Sequence, residues 1–182
     1  CKAQAKSLKQ SGIDMVWLPP AYKGADGTKS VGYDVYDTYD LGEFNQKGAI
    51  PTKYGTKEEY LQAIKALQDE KIEVLADIVL NHKMGADETE EVTVLENAGN
   101  DRNHVISGEQ QILAWTKFTY PGRAGKYSDL VWDASFFDGV DWDENQKRKG
   151  IYLFQGKSWS KETDTDNQNF DYLMGADMDF NH

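Results

Sequence analysis

The chain has 182 residues and a formal net charge of −11, with 39% hydrophobic and 28% charged residues. That balance fits a globular chain able to bury a core of its own. No apolar run reaches the roughly 18 residues of a membrane span, and a surface this acidic repels nucleic-acid phosphates. The acid is uneven: of 31 Asp and Glu, 19 follow His82, against 10 of the 20 Lys and Arg. Two readings stand, a solvated face or carboxylates gathered for cations. Cys1 is the single cysteine, which excludes an internal disulfide and a Cys-rich zinc site and leaves the compartment open, secreted or cytoplasmic.

In chain order, KAQAKSLKQSG predicts a short helix with Ala5 and Leu8 inward, stopped by Gly12. IDMVWLPP, 13–20, reads as a buried strand ended by a proline pair. In TKEEYLQAIKALQDEK, Thr56 and Glu59 form a capping box, and Tyr60, Ile64 and Leu67 share one helical face. IEVLADIVL is the next strand. Strand, helix, strand predicts a parallel pair with a right-handed crossover. The loop from 20 to 55 is long and the one near 71 almost nil, the asymmetry of a (β/α) barrel that works at its C-terminal face. A doubly wound sheet shares that bias. After His82 the helical rhythm stops, and short alternating runs such as KFTY and IYLFQ predict a mainly β domain inserted after the strand. Two strands cannot close a barrel of roughly 250 residues, so an excerpt from a longer protein is expected.

Three clusters could carry chemistry. EVLADIVLNH puts Asp77, Asn81 and His82 at and near the end of a strand, where a barrel keeps its site residues. Asp77 reads equally well as a buried acid paired with an arginine, Asn81 as a turn residue and His82 as a satisfied loop histidine. FDYLMGADMDFNH interleaves Asp171, Asp177 and Asp179 with apolar residues. Carboxylates drawn inward together repel unless a cation neutralises them. Calcium takes about six to eight oxygen ligands, amides such as Asn81 included. A solvated acidic face is the other reading. SVGYDVYDTYDLGEF, 30–44, sets Tyr33 beside the permissive Gly32, and aromatic faces among carboxylates suit a sugar. A tyrosine-rich loop is also ordinary packing.

Taken together, GIDMVWLPPAYKG, VGYDVYDTYDLGEFNQKG, TKYGTKEEYLQAIKAL, ADIVLNHKMGAD, DRNHVISGEQQILAWTKFTYPGR, FFDGVDWDE and NFDYLMGADMDFNH follow one another across almost the whole chain. In that order the sequence resembles the α-amylases of glycoside hydrolase family 13, most nearly the bacterial liquefying enzymes and their intracellular relatives. The resemblance implies an α/β fold: a partial (β/α)8 barrel over 1–82 with strands 2 and 3 and their helices. A mainly β domain B is implied over 83–175 and a return to the barrel over 176–182, with calcium at the junction. In the family's terms Asn81 would ligate calcium, and His82 would bond the sugar next to the scissile bond. Tyr33 would stack on that same sugar, and Asp77 would support the site structurally. Asp171 and Asp177 match the other side-chain ligands of the main calcium. Asp138 and Asp179 match residues that join a second calcium and a sodium, with a carbonyl at the position of Ser158. Ser160 stands where those enzymes place an Asp, so the resemblance carries one calcium and not the further cations.

The family's nucleophile is an Asp in an Arg-x-Asp signature on strand 4, its acid a Glu on strand 5, and a third Asp follows strand 7. All three would lie beyond His182. The retaining mechanism needs its two carboxyl groups only about 5 Å apart, and no acid here is assigned to that pair or to any catalytic role. The parent is expected to hydrolyse α-1,4-glucosidic bonds inside starch, glycogen or maltooligosaccharides with retention, stabilised by calcium, and this chain alone to be inactive. The expected partner is an α-glucan, with no nucleic acid or membrane, and the expected state is a monomer. Two other readings stay open: a transglycosylase or α-1,6-glucosidase of the same family, and a non-catalytic calcium- and glycan-binding module.

Overall fold

Residues 2–99, 101–160 and 173–180 are described in the computed structural model, which divides into two units. The first, Cys1–Val79 with Pro121–Ala124, contains the expected strand, helix, strand sequence. Its elements are α1 (Ala5–Gln10), β1 (Met15–Leu18), β2 (Lys23–Gly24), β3 (Val35–Asp37), α2 (Lys57–Asp69) and β4 (Glu73–Ala76). The Thr56 hydroxyl accepts from the Glu59 backbone N–H while the Glu59 carboxylate accepts from that of Thr56, closing the capping box that starts α2. β1 and β4 pair in parallel from Met15 opposite Glu73 to Leu18 opposite Ala76. Leu67, Ile72 and Ala5 form the core beneath them, with Leu8, Val16 and Val74 packed around it.

Both strands are shorter than their apolar runs. The ladder continues for one bond past the pair, from the Asp77 N–H to the Leu18 carbonyl at 3.1 Å. Pro19 and Pro20 have no N–H to carry it further, so residues 77–80 leave the sheet, and Asp77, Val79 and Asn81 do not share a strand face. Nor are the strands buried on both sides: Met15, Trp17 and Leu75 are exposed, Trp17 at 71%. Among the described residues nothing covers that face.

The long loop after β1 is built round a buried cation. The Lys23 ammonium, fully out of solvent, donates to the carbonyls of Phe44, Ala49 and Ile50 at 2.6–3.0 Å and lies 3.3 Å from Asp40. Asp40 also accepts the backbone N–H groups of Gly42, Glu43 and Phe44. Asp37 receives the Gln46 amide and the Arg123 guanidinium, both at 2.9 Å. Burial depresses the Lys23 pKa, an effect that Asp40 and Asp37 oppose.

The second unit, Leu80–Tyr120 with Gly125–His182, is sheet. It contains β5 (His82–Lys83), β6 (Glu88–Ala98), β7 (Asp101–Val105), β8 (Gln110–Lys117), β9 (Phe137–Asp143), β10 (Arg148–Phe154) and β11 (Ala176–Met178). Among the described residues these seven form one sheet in the order β5-β11-β9-β10-β6-β7, with β8 also on β6, every pair antiparallel. Val94, Ile112, Phe118, Phe137 and Tyr152 are wholly buried in it. The run KFTY does not extend β8. Phe118 instead bridges to Trp132, and the ring cluster of Phe118, Tyr120 and Trp132 encloses the Lys83 ammonium at 5.0–5.4 Å. No helix among the described residues is long and apolar enough to cross a membrane.

Candidate functional site

In the first unit, Gly32 turns the chain at φ +102°, and a Cβ there would lie 2.5 Å from the Pro20 carbonyl oxygen. Only glycine fits so tight a turn, and it delivers Tyr33 to an exposed position. The Tyr33 hydroxyl donates to Asp77 Oδ2 at 2.8 Å. That bond, to a group already charged, raises the phenol pKa. Among the described residues Asp77 is therefore partnered by a tyrosine and not by an arginine. Beside it, the Val79 N–H donates to the Tyr22 hydroxyl at 2.9 Å, and burial pushes the Tyr22 pKa up to about 12.

In the second unit, β11 brings three of the expected residues together. Asp177 lies opposite His82 on one side and Gly139 on the other, and the Met178 N–H donates to the Asn81 carbonyl at 3.0 Å. The Asn81 amide reaches Asp177 Oδ1 at 3.5 Å. Asp177 is 1% and Asp138 2% exposed. Asp138 owes its place to a register shift: Asp177 faces Gly139 but Met178 faces Phe137, which leaves Asp138 as the extra residue of a bulge. Bulges re-aim side chains in this way.

Two cations of the protein stand against these acids. The Arg102 guanidinium, fully buried and stacked 4.6 Å from the Trp159 ring, lies 3.8 Å from Asp177 Oδ2. The Lys157 ammonium donates to Asp179 Oδ2 at 2.5 Å and to the Ser135 carbonyl at 2.7 Å. Asp171 lies outside the described residues. Among those described, no three His, Cys, Asp or Glu side chains are grouped as a metal cage.

The same unit holds a cleft of about 330 Å³, lined by Lys83, Met84, Ala86, Trp115, Asp141 and Trp142 among others. Burial raises the Asp141 pKa, opposed by a backbone hydrogen bond at Gly175. Trp115 on β8 and Trp142 on β9 are 40% and 36% exposed. Two half-exposed indoles and a carboxylate in an apolar cleft offer what a sugar ring needs, a flat apolar face and a hydrogen-bond acceptor. Sequence reasoning passed over these residues. Asp141 and Trp142 lie within FFDGVDWDE, where the mix of acid and aromatic was visible, but Trp115 joins them only through the sheet.

The family model for the α-amylase catalytic domain matches residues 3–178. This chain belongs to that family. It is 55% identical over 175 residues to an α-amylase of Bacillus licheniformis, an alignment covering 96% of this chain and 34% of that enzyme. Identity is 56% to an α-amylase of Geobacillus stearothermophilus, covering 98% and 33%. It is 50% to a cytoplasmic α-amylase of Escherichia coli (strain K12), covering 98% and 37%. The chain thus spans about a third of the length of the curated relatives it matches. Among solved structures, truncated alternansucrase from Leuconostoc mesenteroides superimposes with a TM-score of 0.59 at 27% identity, over 69% of this chain and 12% of that one.

Proposed function

We propose that this chain is the N-terminal part of a calcium-stabilised α-amylase that cleaves α-1,4-glucosidic bonds within starch-like glucans, with retention. The observation that carries the reading is the family match over residues 3–178, at about half identity to three bacterial α-amylases. The parallel β1–β4 pair with its α2 crossover stands for two neighbouring barrel strands, and Trp17 and Leu75 face where further barrel elements would pack. The second unit corresponds to domain B, and β11, where a return to the barrel is expected, still belongs to its sheet between β5 and β9. Tyr33 offers its ring to a sugar, held by Asp77. His82 contributes a polar contact to substrate, and the cleft at Trp115 and Trp142 takes another part of the glucan. The nucleophile and the acid belong to parts of the parent outside this chain. The intact protein is a monomer.

Asn81 and Asp177 fit a calcium ion: both offer a hard oxygen, they lie side by side where β11 passes the residue before β5, and Asp177 is 1% exposed. Asp171 would complete that set. A bound calcium would neutralise the inward carboxylates and tie β11 to Asn81. Asp179 fits a further cation poorly, because the Lys157 ammonium already sits on it and Ser160 supplies no carboxylate. One calcium is the expected complement.

The test is a starch digestion by two proteins, the 182-residue chain and the parent that contains it. The parent should release a ladder of maltooligosaccharides with α-anomeric ends, and the chain alone nothing. Glucan turnover by the chain alone, or α-1,6 cleavage or transfer products from the parent, would overturn the assignment.

A further inference from the structure

We propose that Glu144 is a positioning residue, which holds the indoles of Trp115 and Trp142 in one fixed pose beside the cleft. The inference rests on the proposed role of that cleft as a glucan contact and adds how its platform is kept rigid.

An indole that stacks on a sugar uses its faces, so its N–H edge must be satisfied elsewhere. Here the Trp142 edge ends on a carboxylate that the Trp115 indole also approaches. The Trp142 Nε1–H donates to Glu144 Oε2 at 2.9 Å, and the Trp115 indole is near enough to the same carboxylate to help lower its pKa. Such bonds to an ionised acceptor are stronger than neutral ones. The carboxylate is itself fixed. Its backbone N–H donates to the Leu113 carbonyl at 2.9 Å, and the Lys147 ammonium pairs with Oε1. Lys147 follows a tight turn with φ +52°, which brings it back over the acid. Glu144 thus links the end of β9 to β8, the two strands that carry the tryptophans.

Half-exposed side chains normally lose rotamer freedom when a ligand orders them. Tethering the indoles beforehand removes that loss, which is the general effect of preorganisation on affinity. The benefit falls on substrates long enough to reach the cleft. A plain turn-stapling role for Glu144 would work through Lys147 alone and need neither indole.

The experiment uses the intact parent protein with Glu144→Leu, Glu144→Gln, Lys147→Asn, Trp115→Ala and Trp142→Ala. Asn is chosen at 147 because it tolerates the left-handed backbone. Two readouts are taken, iodide quenching of tryptophan fluorescence and the ratio of KM for maltoheptaose to KM for maltotriose. Glu144→Leu should raise both, the KM ratio by about fivefold, and Glu144→Gln should fall between it and the wild type. Lys147→Asn should raise the KM ratio less than Glu144→Leu does, and an equal or larger rise would mean that Glu144 acts only through Lys147. Wild-type quenching and KM ratio in Glu144→Leu, with raised ratios in the tryptophan variants, would overturn the positioning role and leave the cleft intact. Wild-type ratios in both tryptophan variants would remove the cleft from substrate binding, and this inference with it. Should Glu144→Leu fail to fold, the quenching of Glu144→Gln decides, and a wild-type value there counts against the proposal.

Discussion

The Tyr33 hydroxyl and the Asp77 carboxylate meet at 2.8 Å across 44 positions of sequence, the loop after β1 reaching the residue that follows β4. The bond orients an exposed ring from its edge and leaves its faces open. It also ties two adjacent loops at the C-terminal ends of parallel strands, where an α/β barrel does its chemistry. Removing the charge tests it. In Asp77→Asn the Tyr33 phenol should titrate at lower pH than in the wild type, read from absorbance at high pH against a Tyr33→Phe blank. The sign follows from the raised phenol pKa: the bond's contribution is complete below the ordinary tyrosine value and fades as pH rises through the shifted one. An unchanged titration would mean that the bond does not form in solution.

Calcium should stabilise the intact protein through Asn81 and Asp177. At free calcium near 100 times its Kd the gain is about 2.7 kcal/mol, and a chelator should lower the melting temperature accordingly. Asp177→Asn should melt lower in calcium and lose most of its response to the chelator. A melt that ignores the chelator in the wild type would remove the metal proposal.

Lys157 supplies the charge that Asp179 faces. With the carboxylate side chain 4% exposed, Lys157→Met leaves it short of its ammonium at a cost of roughly 3 kcal/mol, in the range for breaking a buried pair. Urea denaturation of the two proteins measures this. If added sodium or calcium restores the variant but not the wild type, the ammonium stands where a second cation would.

Gly139 is pressed against the β10 backbone and the Trp159 ring. A Cβ there would come within 2.2 Å of the Tyr152 carbonyl oxygen and 2.5 Å of the Trp159 ring. Gly139→Ala should therefore cost about 1–3 kcal/mol by overpacking. Because Trp159 stacks on Arg102, which faces Asp177, the variant should also weaken calcium binding, measured by titration calorimetry.

Glu144 has a pKa lowered to about 2, chiefly by Lys147 and then by the two indoles. A depressed carboxylate stabilises the fold above its unfolded value and ceases to do so as pH falls through the folded one. The wild type should therefore out-melt Glu144→Gln at pH 6, and the gap should narrow from about pH 4.5 down to about 2. A gap independent of pH would show that the charge contributes nothing.

The βαβ unit was legible because its signals are local: a capping box at Thr56 and Glu59, an apolar helical face, and apolar runs on either side. The strand ends were not. Pro19 and Pro20 visibly stop their own strand, but only the register shows that they also shorten the partner and free Asp77. Asp177 and Asn81 could each be picked out as oxygen donors, yet their adjacency comes from a three-residue strand, β11, with no periodicity to read. Nothing in the local sequence marks Arg102 and Lys157 as the cations that face Asp177 and Asp179, since each reaches its acid only through the fold. Trp115 and Glu144 meet only because β8 and β9 lie close, a long-range pairing that no local pattern encodes.

The bulge at Asp138 makes β9 sensitive to length in a way that substitution scans would miss. The strand lies between β11 and β10 and carries a second register shift against β10, between Lys149 and Tyr152. Deleting Asp138 would leave Phe137 and Gly139 facing Met178 and Asp177 as a regular ladder, without the acid that the bulge presents. Inserting a residue between Val140 and Asp141 would instead turn every side chain beyond it to the other face. Asp141 and Trp142 would then exchange sides of the sheet, although each residue survives unchanged. Natural or engineered variation along Phe137–Asp143 should therefore be rich in replacements and empty of insertions and deletions.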